Sequence, residues 1–120
     1  MKKQILIIED QLSTRKLLSH YLGNQFQVIE MESASEAITW LSEGNYPQAI
    51  ISDIIMPDLN GLEFLMRIKD TDQRDIPVLM LSGVENSVEK IKCFNLGAKD
   101  YMVKPFNPEE LKARLNNLMN

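Results

Sequence analysis

Polar side chains follow four of the five short apolar runs in this chain, each at the point where a run ends. Glu9 and Asp10 follow the first run, Asp53 follows the third, Ser82 ends the fourth and Lys104 ends the fifth. In open α/β sheets, ligands bind beyond the carboxyl ends of the strands, near the switch in strand order. The pattern therefore predicts three acids, a hydroxyl and an ammonium at one edge of a sheet.

These residue types indicate a cation and a phosphoryl group as ligands. Three crowded carboxylates repel one another, and a hard divalent cation such as Mg²⁺, which prefers oxygen ligands, relieves that repulsion. Lys104 and Ser82 are not needed to hold a metal, but they can neutralise and hydrogen-bond phosphoryl oxygens. A carboxylate can itself be the nucleophile. Asp53 follows a central strand, so it is the favoured acceptor.

The elements that must position these side chains are strands and helices in alternation. The apolar runs occupy residues 5–8, 26–31, 49–51, 78–81 and 101–103. Continuous apolar runs are typical of strands covered on both faces, as in a parallel sheet. The second run is mixed, with Gln27 and Glu30, which favours an edge strand. Five strand–helix pairs predict an α/β sandwich with right-handed crossovers.

The helices between the runs have recognisable starts and apolar faces. Four starts carry capping or turn signals: Ser33 with Glu36, Asn60-Gly61, Asn86 or Ser87, and Asn107-Pro108. The predicted apolar faces are Leu17, Leu18, Tyr21 and Leu22 on the first helix, Leu62, Leu65 and Ile68 on the third, Val88 and Ile91 on the fourth, and Leu111, Leu115 and Leu118 on the fifth. We also expect Met31, Met66, Met80 and Met102 to fill the core.

Length and composition predict one ordinary domain over residues 1–120. The chain is 44% hydrophobic and 25% charged, and its single cysteine, Cys93, cannot form an internal disulfide. No apolar run is long enough to span a bilayer, and the first is too short for a signal peptide, so we expect a cytoplasmic location without membrane contact. The net charge of −4 argues against direct nucleic-acid binding.

Four motifs together resemble response-regulator receiver domains of two-component signal transduction. They are the segments 8–10 (IED), 53–61 (DIIMPDLNG), 81–83 (LSG) and 97–106 (GAKDYMVKPF). Each motif alone is weak, but the resemblance covers the whole chain with order and spacing kept. It implies a flavodoxin-like, chemotaxis-type fold: a (βα)5 doubly wound parallel sheet with strand order 2-1-3-4-5 and helices on both faces.

The resemblance implies a role for each residue of the acidic edge. Asp53 matches the phosphoacceptor, and Lys104 matches the lysine that the family keeps. Glu9 and Asp10 match the acidic pair that holds Mg²⁺, Asp10 directly and Glu9 through water. The backbone carbonyl of Ile55 matches a further ligand of the metal. Glu9 stands where aspartate is more frequent, a change that should not abolish metal binding.

The resemblance also implies a switch beside that edge. Ser82 matches the hydroxyl switch residue, where threonine is common, and Tyr101 matches the aromatic residue that turns inward when the hydroxyl moves to the phosphate. The Lys104–Pro105 peptide bond is cis in the family. Ile55 and Val84 are apolar and flank the phosphoryl site, and our hypothesis is that they hinder the attacking water and prolong the phosphorylated state.

The function implied is a phosphoacceptor signalling switch rather than a turnover enzyme. The donor would be a sensor histidine kinase or a histidine phosphotransfer domain, and residues 86–120 would form the output surface. The target would be a downstream protein or a missing C-terminal output domain, since the chain is either a whole protein or the N-terminal part of a longer one. It would be a monomer or a phosphorylation-dependent dimer.

Three alternatives stay open at this point. In a Mg²⁺-dependent phosphatase with an aspartyl-phosphate intermediate, the position of Ile55 usually carries a general acid, which argues against that enzyme. A flavin-binding protein would need a phosphate-cradling loop where Glu9, Asp10 and Gln11 stand, and the acids would repel the phosphate. A receiver that acts unphosphorylated would not need the complete set of acids, hydroxyl and lysine.

Overall fold

A computed structural model describes residues 2–120, so Met1, the first residue of the predicted domain, lies outside the described residues. Five strands alternate with five helices along the chain. Their bounds are β1 Gln4–Ile8, α1 Leu12–Leu22, β2 Gln27–Met31, α2 Ala34–Ser42, β3 Ala49–Asp53, α3 Gly61–Lys69, β4 Val78–Ser82, α4 Ser87–Asn95, β5 Asp100–Val103 and α5 Pro108–Met119.

The strands form one parallel sheet in the order β2-β1-β3-β4-β5. The predicted fold class and strand order are therefore confirmed. Every residue of β3 and β4 is buried, whereas no residue of β2 is fully buried, as expected of central and edge strands. Because the sheet order reverses between β1 and β3, the carboxyl ends of these two strands open onto the switch point where ligands bind.

Alternate side chains of each strand enter two separate cores, one on each face of the sheet. Leu6 and Ile8 of β1 join the core under α2, α3 and α4, and Ile5 and Ile7 join the core under α1 and α5. This alternation follows from the two-residue period of a strand. Burial on both faces fixes the register, because a slip of one residue would exchange the two cores.

Side-chain caps fix where the helices begin. The Asn60 side chain accepts a hydrogen bond from the backbone N–H of Glu63 at 2.9 Å, and Ser33 accepts one from Glu36 at 3.2 Å. Asn86, rather than Ser87, caps α4, and Asn107 caps α5. Each such cap contributes about 1 kcal/mol to stability. The caps of α3 and α4 lie just beyond the ends of β3 and β4, so they set the path of the chain around the predicted site.

The predicted apolar faces are right for most positions and wrong for several. Leu18 and Leu22 are buried, but Leu17 is 45% exposed, and Met66, which we expected to fill the core, is 53% exposed. The prediction is most wrong for α4, where Val88 and Ile91 are 65% and 58% exposed.

The error in α4 arises because its inward face lies about one residue away from the predicted face. Cys93 is buried and Leu96, just after the helix, packs against the core, so the inward stripe runs through 89, 93 and 96. A shift of one residue rotates a helical face by about 100°. Choosing 88 and 91 instead therefore turns the predicted face away from the sheet. Among residues 2–120, no helix has the length and apolar character needed to cross a membrane.

Candidate functional site

Three carboxylates meet at the carboxyl end of the sheet. Glu9 and Asp10 follow β1 and Asp53 ends β3, and each offers a carboxylate oxygen within 4.8 Å of the others. Glu9 is fully buried and Asp53 is 8% exposed. Buried carboxylates are rare unless they are paired or hold a metal. The structure thus brings together the three acids that the sequence predicts.

Lys104 reaches this cluster from the end of β5. Its Nζ donates to Glu9 Oε2 at 2.9 Å and to Asp53 Oδ2 at 3.2 Å. Burial alone would lower the pKa of Lys104, but the hydrogen bond to Glu9 and the charges of Asp53 and Glu9 outweigh burial and raise it. The ammonium therefore stays charged between two carboxylates at neutral pH.

The pKa of Glu9 reflects both its burial and the charges of its neighbours. Burial raises the pKa of Glu9, and the charge of Asp53 raises it further, against the lowering effect of Lys104. Lys104 offsets one of three negative charges, so the cluster keeps an excess of negative charge in a partly dry place. The donor set consists of carboxylate oxygens, which suit Mg²⁺. The residues present therefore fit the predicted metal.

The junction between β3 and α3 holds Asp53 in place through its backbone neighbours. Asp53 Oδ1 accepts a hydrogen bond from the N–H of Ile54 at 2.8 Å, and the N–H of Gly61 donates to the Ile54 carbonyl at 2.7 Å. A Cβ on Gly61 would lie 2.6 Å from the Asp53 carbonyl oxygen and 2.6 Å from Met80 Cε. Glycine at 61 is thus a condition for this close approach.

Ser82 and Tyr101 form a second group of polar side chains near the site. Ser82 Oγ lies 2.9 Å from the Val84 carbonyl oxygen and 2.8 Å from Glu89 Oε1. The Tyr101 hydroxyl lies 3.1 Å from the same carbonyl oxygen and 2.8 Å from the same carboxylate oxygen. Both side chains are buried, so the ring of Tyr101 already points inward in this structure.

The ends of β4 and β5 are joined beside the acidic cluster. The N–H of Lys104 donates to the Ser82 carbonyl at 2.7 Å, and the Lys104–Pro105 peptide bond is cis, the form that the resemblance implied. The Ile55 and Val84 side chains, which the hypothesis places beside the phosphoryl site, are 76% and 56% exposed. The ligand role of the Ile55 carbonyl stays a prediction.

Two residues of this neighbourhood escaped the sequence analysis. Glu89 lies in the first turn of α4, where an acid is common for helix stability alone, so its type gave no signal. Arg15 of α1 donates from Nη1 to the Glu9 carbonyl at 2.8 Å while its Nε lies 3.3 Å from Glu30 Oε1. A basic residue on a half-exposed helix likewise looks ordinary in sequence.

Comparisons with known proteins identify a family that this sequence matches. Residues 5–116 match the family described as the response regulator receiver domain. The phosphate regulon transcriptional regulatory protein PhoB of Escherichia coli is 35% identical over 121 residues, covering 99% of this chain and 52% of PhoB. The probable transcriptional regulator ycf27 of Cyanophora paradoxa is 34% identical over 119 residues, covering 98% of this chain and 48% of that protein.

A solved structure extends the similarity to the fold. The chemotaxis protein CheY4 of Vibrio cholerae superposes with a TM-score of 0.90 at 30% identity, covering 98% of this chain and 99% of that one. The chain spans about half the length of the two curated relatives described above. It spans nearly all of the solved chain of the chemotaxis protein.

Proposed function

This chain belongs to the response regulator receiver domain family, a family of signalling switches, and from that premise we propose that Asp53 accepts a phosphoryl group from a partner phosphohistidine. The observation that carries the proposal is the bridge formed by Lys104. Its ammonium contacts Asp53 and Glu9 together, at the edge of a cluster of three carboxylates. A lysine held there can also neutralise the oxygens of a phosphoryl group attached to Asp53.

In the proposed reaction, an Asp53 carboxylate oxygen forms a bond to phosphorus while the bond from phosphorus to the histidine nitrogen of the donor breaks. Asp53 acts as the nucleophile through a carboxylate oxygen, so no hydroxyl proton has to be removed. Lys104 Nζ turns from the carboxylates to a phosphoryl oxygen, and the Ser82 hydroxyl donates to another. The backbone N–H of Ile54 holds the second Asp53 oxygen throughout.

Magnesium enters the proposal as the partner of the acids. Glu9, Asp10, Asp53 and the carbonyl of Ile55 would hold Mg²⁺, which would supply positive charge against the carboxylates and the phosphoryl oxygens. Arg15 contributes by keeping the backbone of Glu9 in place through the 2.8 Å bond to its carbonyl. Gly61 contributes by allowing the close contact that positions the end of β3.

Signal output is proposed to follow from the movement of Ser82. When its hydroxyl donates to the phosphoryl group, the contacts that it shares with Tyr101 change, and the equilibrium between two arrangements of the chain shifts. The surface of α4, β5 and α5 would report this shift to the next protein. The protein would catalyse its own phosphorylation and its own slow dephosphorylation, without turnover of other substrates.

The wider setting is proposed in the same way. Residues 1–120 would form one receiver domain in the cytoplasm, phosphorylated by a sensor histidine kinase or a histidine phosphotransfer domain. It would act on a downstream protein or on an output domain in a longer chain, as a monomer or as a dimer formed on phosphorylation. The net charge of −4 disfavours direct nucleic-acid binding by this domain.

The experiment that tests the proposal is incubation with acetyl phosphate and Mg²⁺, followed by intact-mass measurement. We expect one phosphoryl adduct on the wild type, no adduct after chelation of the metal, and no adduct on Asp53→Asn. Asp58→Asn is the matched control, because Asp58 is an exposed acid five residues further along the same segment. An undiminished adduct on Asp53→Asn would place the acceptor elsewhere, and a loss on Asp58→Asn would do the same.

A further inference from the structure

Glu89 lies at the centre of the contacts between the two proposed switch residues. Its Oε1 atom is 2.8 Å from Ser82 Oγ and 2.8 Å from the Tyr101 hydroxyl. The two hydroxyls come from neighbouring strands, β4 and β5, and Glu89 comes from α4. One carboxylate oxygen thus joins three elements at a single point.

Two hydroxyl donors share the Glu89 Oε1 atom as an acceptor. Ser82 and Tyr101 each carry one hydroxyl proton, and both have the same two acceptors within reach, Glu89 Oε1 and the Val84 carbonyl. A hydrogen bond to an ionised acceptor is about twice as strong as one between neutral groups. The two hydroxyls therefore compete for the carboxylate, and the state of one sets what remains for the other.

The surroundings hold Glu89 in this position. It lies on the inward stripe of α4, four residues before the buried Cys93, and Asn86 fixes its backbone by accepting from the Glu89 N–H at 3.1 Å. The Lys90 ammonium lies 5.8 Å from the centre of the Tyr101 ring. The cap thus fixes the backbone of Glu89, and the two hydroxyl contacts fix its side chain.

We propose that Glu89 is a positioning residue that couples the Ser82 hydroxyl to the Tyr101 ring; the inference rests on the proposed function of Asp53. When the Ser82 hydroxyl turns to a phosphoryl oxygen, its hydrogen bond to Glu89 is lost. The carboxylate then accepts a hydrogen bond from Tyr101 alone. The Tyr101 ring is then fixed more firmly inward. Without Glu89, phosphorylation of Asp53 proceeds but its effect on Tyr101 is weakened.

The test follows Tyr101 by NMR in protein with ¹³C-labelled tyrosine rings, before and after treatment with acetyl phosphate and Mg²⁺. Intact mass measures phosphorylation in the same samples. We expect Glu89→Ala to be phosphorylated while the shift change of Tyr101 falls at least about twofold, and Glu89→Gln, which keeps a neutral acceptor, to lie between Ala and the wild type. Glu85→Ala is the matched control, because this exposed acid precedes Glu89 by four residues.

A titration of Tyr101 provides a readout that is independent of phosphorylation. Burial is the main cause that raises the pKa of Tyr101; Ser82 lowers it, while the hydrogen bond and the charge of Glu89 raise it, with a further small contribution from Cys93. Glu89→Ala should therefore lower the Tyr101 pKa toward its ordinary value, and Glu85→Ala should leave it unchanged. Chemical denaturation of each variant establishes that it is folded.

The outcomes separate this inference from the function on which it rests. If the wild type takes up no phosphoryl group, the proposed function fails, and the coupling is then read from Ser82→Ala. That substitution should change the Tyr101 titration in the wild type, and the change should be smaller in the Glu89→Ala background, where only the direct effect of Ser82 on Tyr101 remains. An equal change in both backgrounds, or a full Tyr101 response in phosphorylated Glu89→Ala, overturns the coupling.

Discussion

Helices α3 and α4 have similar lengths and start signals, but they bury very different numbers of residues against the sheet. Each has nine residues, begins after an asparagine cap and carries a glutamate in its first turn. Yet α3 buries Gly61, Phe64, Leu65 and Ile68, whereas α4, which lies wholly within the described residues, buries Cys93 alone. The difference shows that local helix signals set where a helix begins but not how firmly it is held.

The two attachments suit the two strands that precede the helices. α3 follows the strand that carries Asp53, and its first residue packs directly against that strand, so the proposed acceptor lies beside a tightly packed junction. α4 follows the strand that carries Ser82, and it is held by few apolar contacts and by the carboxylate of Glu89. Elements with few buried contacts open at low free energy, which is what a switch element requires.

This contrast predicts the greatest loss of stability for a substitution at the core face of α3. Phe64→Ala should lower the free energy of unfolding by about 3–5 kcal/mol, because it empties a fully buried aromatic site. Denaturant titration measures the change. Ile91→Ala on α4 is the matched comparison, and it should change stability by less than about 0.5 kcal/mol because Ile91 is 58% exposed. Similar losses for both variants would contradict unequal attachment.

The second prediction uses Cys93 as a reporter of the inner face of α4. Burial, with a smaller contribution from Glu89, raises the pKa of this thiol to about 11. At pH 8 its reaction with a disulfide reagent should be slower than in the unfolded chain by on the order of a hundredfold, since the thiolate is the nucleophile. The rate should rise with pH, and it should increase on phosphorylation if loss of the contact between Ser82 and Glu89 exposes the inner face of α4.

The control for this reporter is an exposed thiol on the same helix. Lys92→Cys in a Cys93→Ala chain should react nearly as fast as the unfolded protein, because Lys92 is exposed. A native Cys93 that reacts at the rate of this control would show that α4 does not cover it. A rate unchanged by phosphorylation would instead mean that the helix stays in place when the switch operates.

The third prediction concerns the glycines that follow β3 and β4. Gly61→Ala should lower the free energy of unfolding by about 2 kcal/mol, because the new Cβ would clash with the Asp53 carbonyl and the Met80 side chain. Gly83→Ala should change stability by about 0.5 kcal/mol or less, since a Cβ there meets nothing within 4 Å. Thermal unfolding of the two variants gives the comparison. Equal losses would mean that the tight β3–α3 contact is not a source of stability.

Much of this arrangement could be predicted from sequence, and the reasons for the failures are physical. The continuous apolar runs and the residues at their ends predicted the sheet and the meeting of Asp53 with Asp10 and Lys104, because parallel strands place their carboxyl ends together. The face of α4 that packs against the sheet could not be predicted, because Val88 and Ile91 are apolar residues that would suit either a buried or an exposed position. The role of Glu89 was hidden for the related reason that an acid near a helix start is common.

The smallest expected effect compares the two loops that border Asp53. Ile55 belongs to the β3–α3 side and Val84 to the β4–α4 side, and both side chains are largely exposed. If they shield a phosphoryl group from water, replacing both with asparagine should speed phosphate loss about fivefold, a barrier change of about 1 kcal/mol. The decay of the phosphoryl adduct by intact mass measures the rate, with Met66→Gln as a control for loss of an exposed apolar side chain on α3. Because α3 is firmly packed, Ile55 should keep its position when the switch operates and should account for most of the effect. A larger effect from Val84→Asn alone would assign the shielding to the β4–α4 side. No acceleration of phosphate loss in the double variant would contradict the hypothesis.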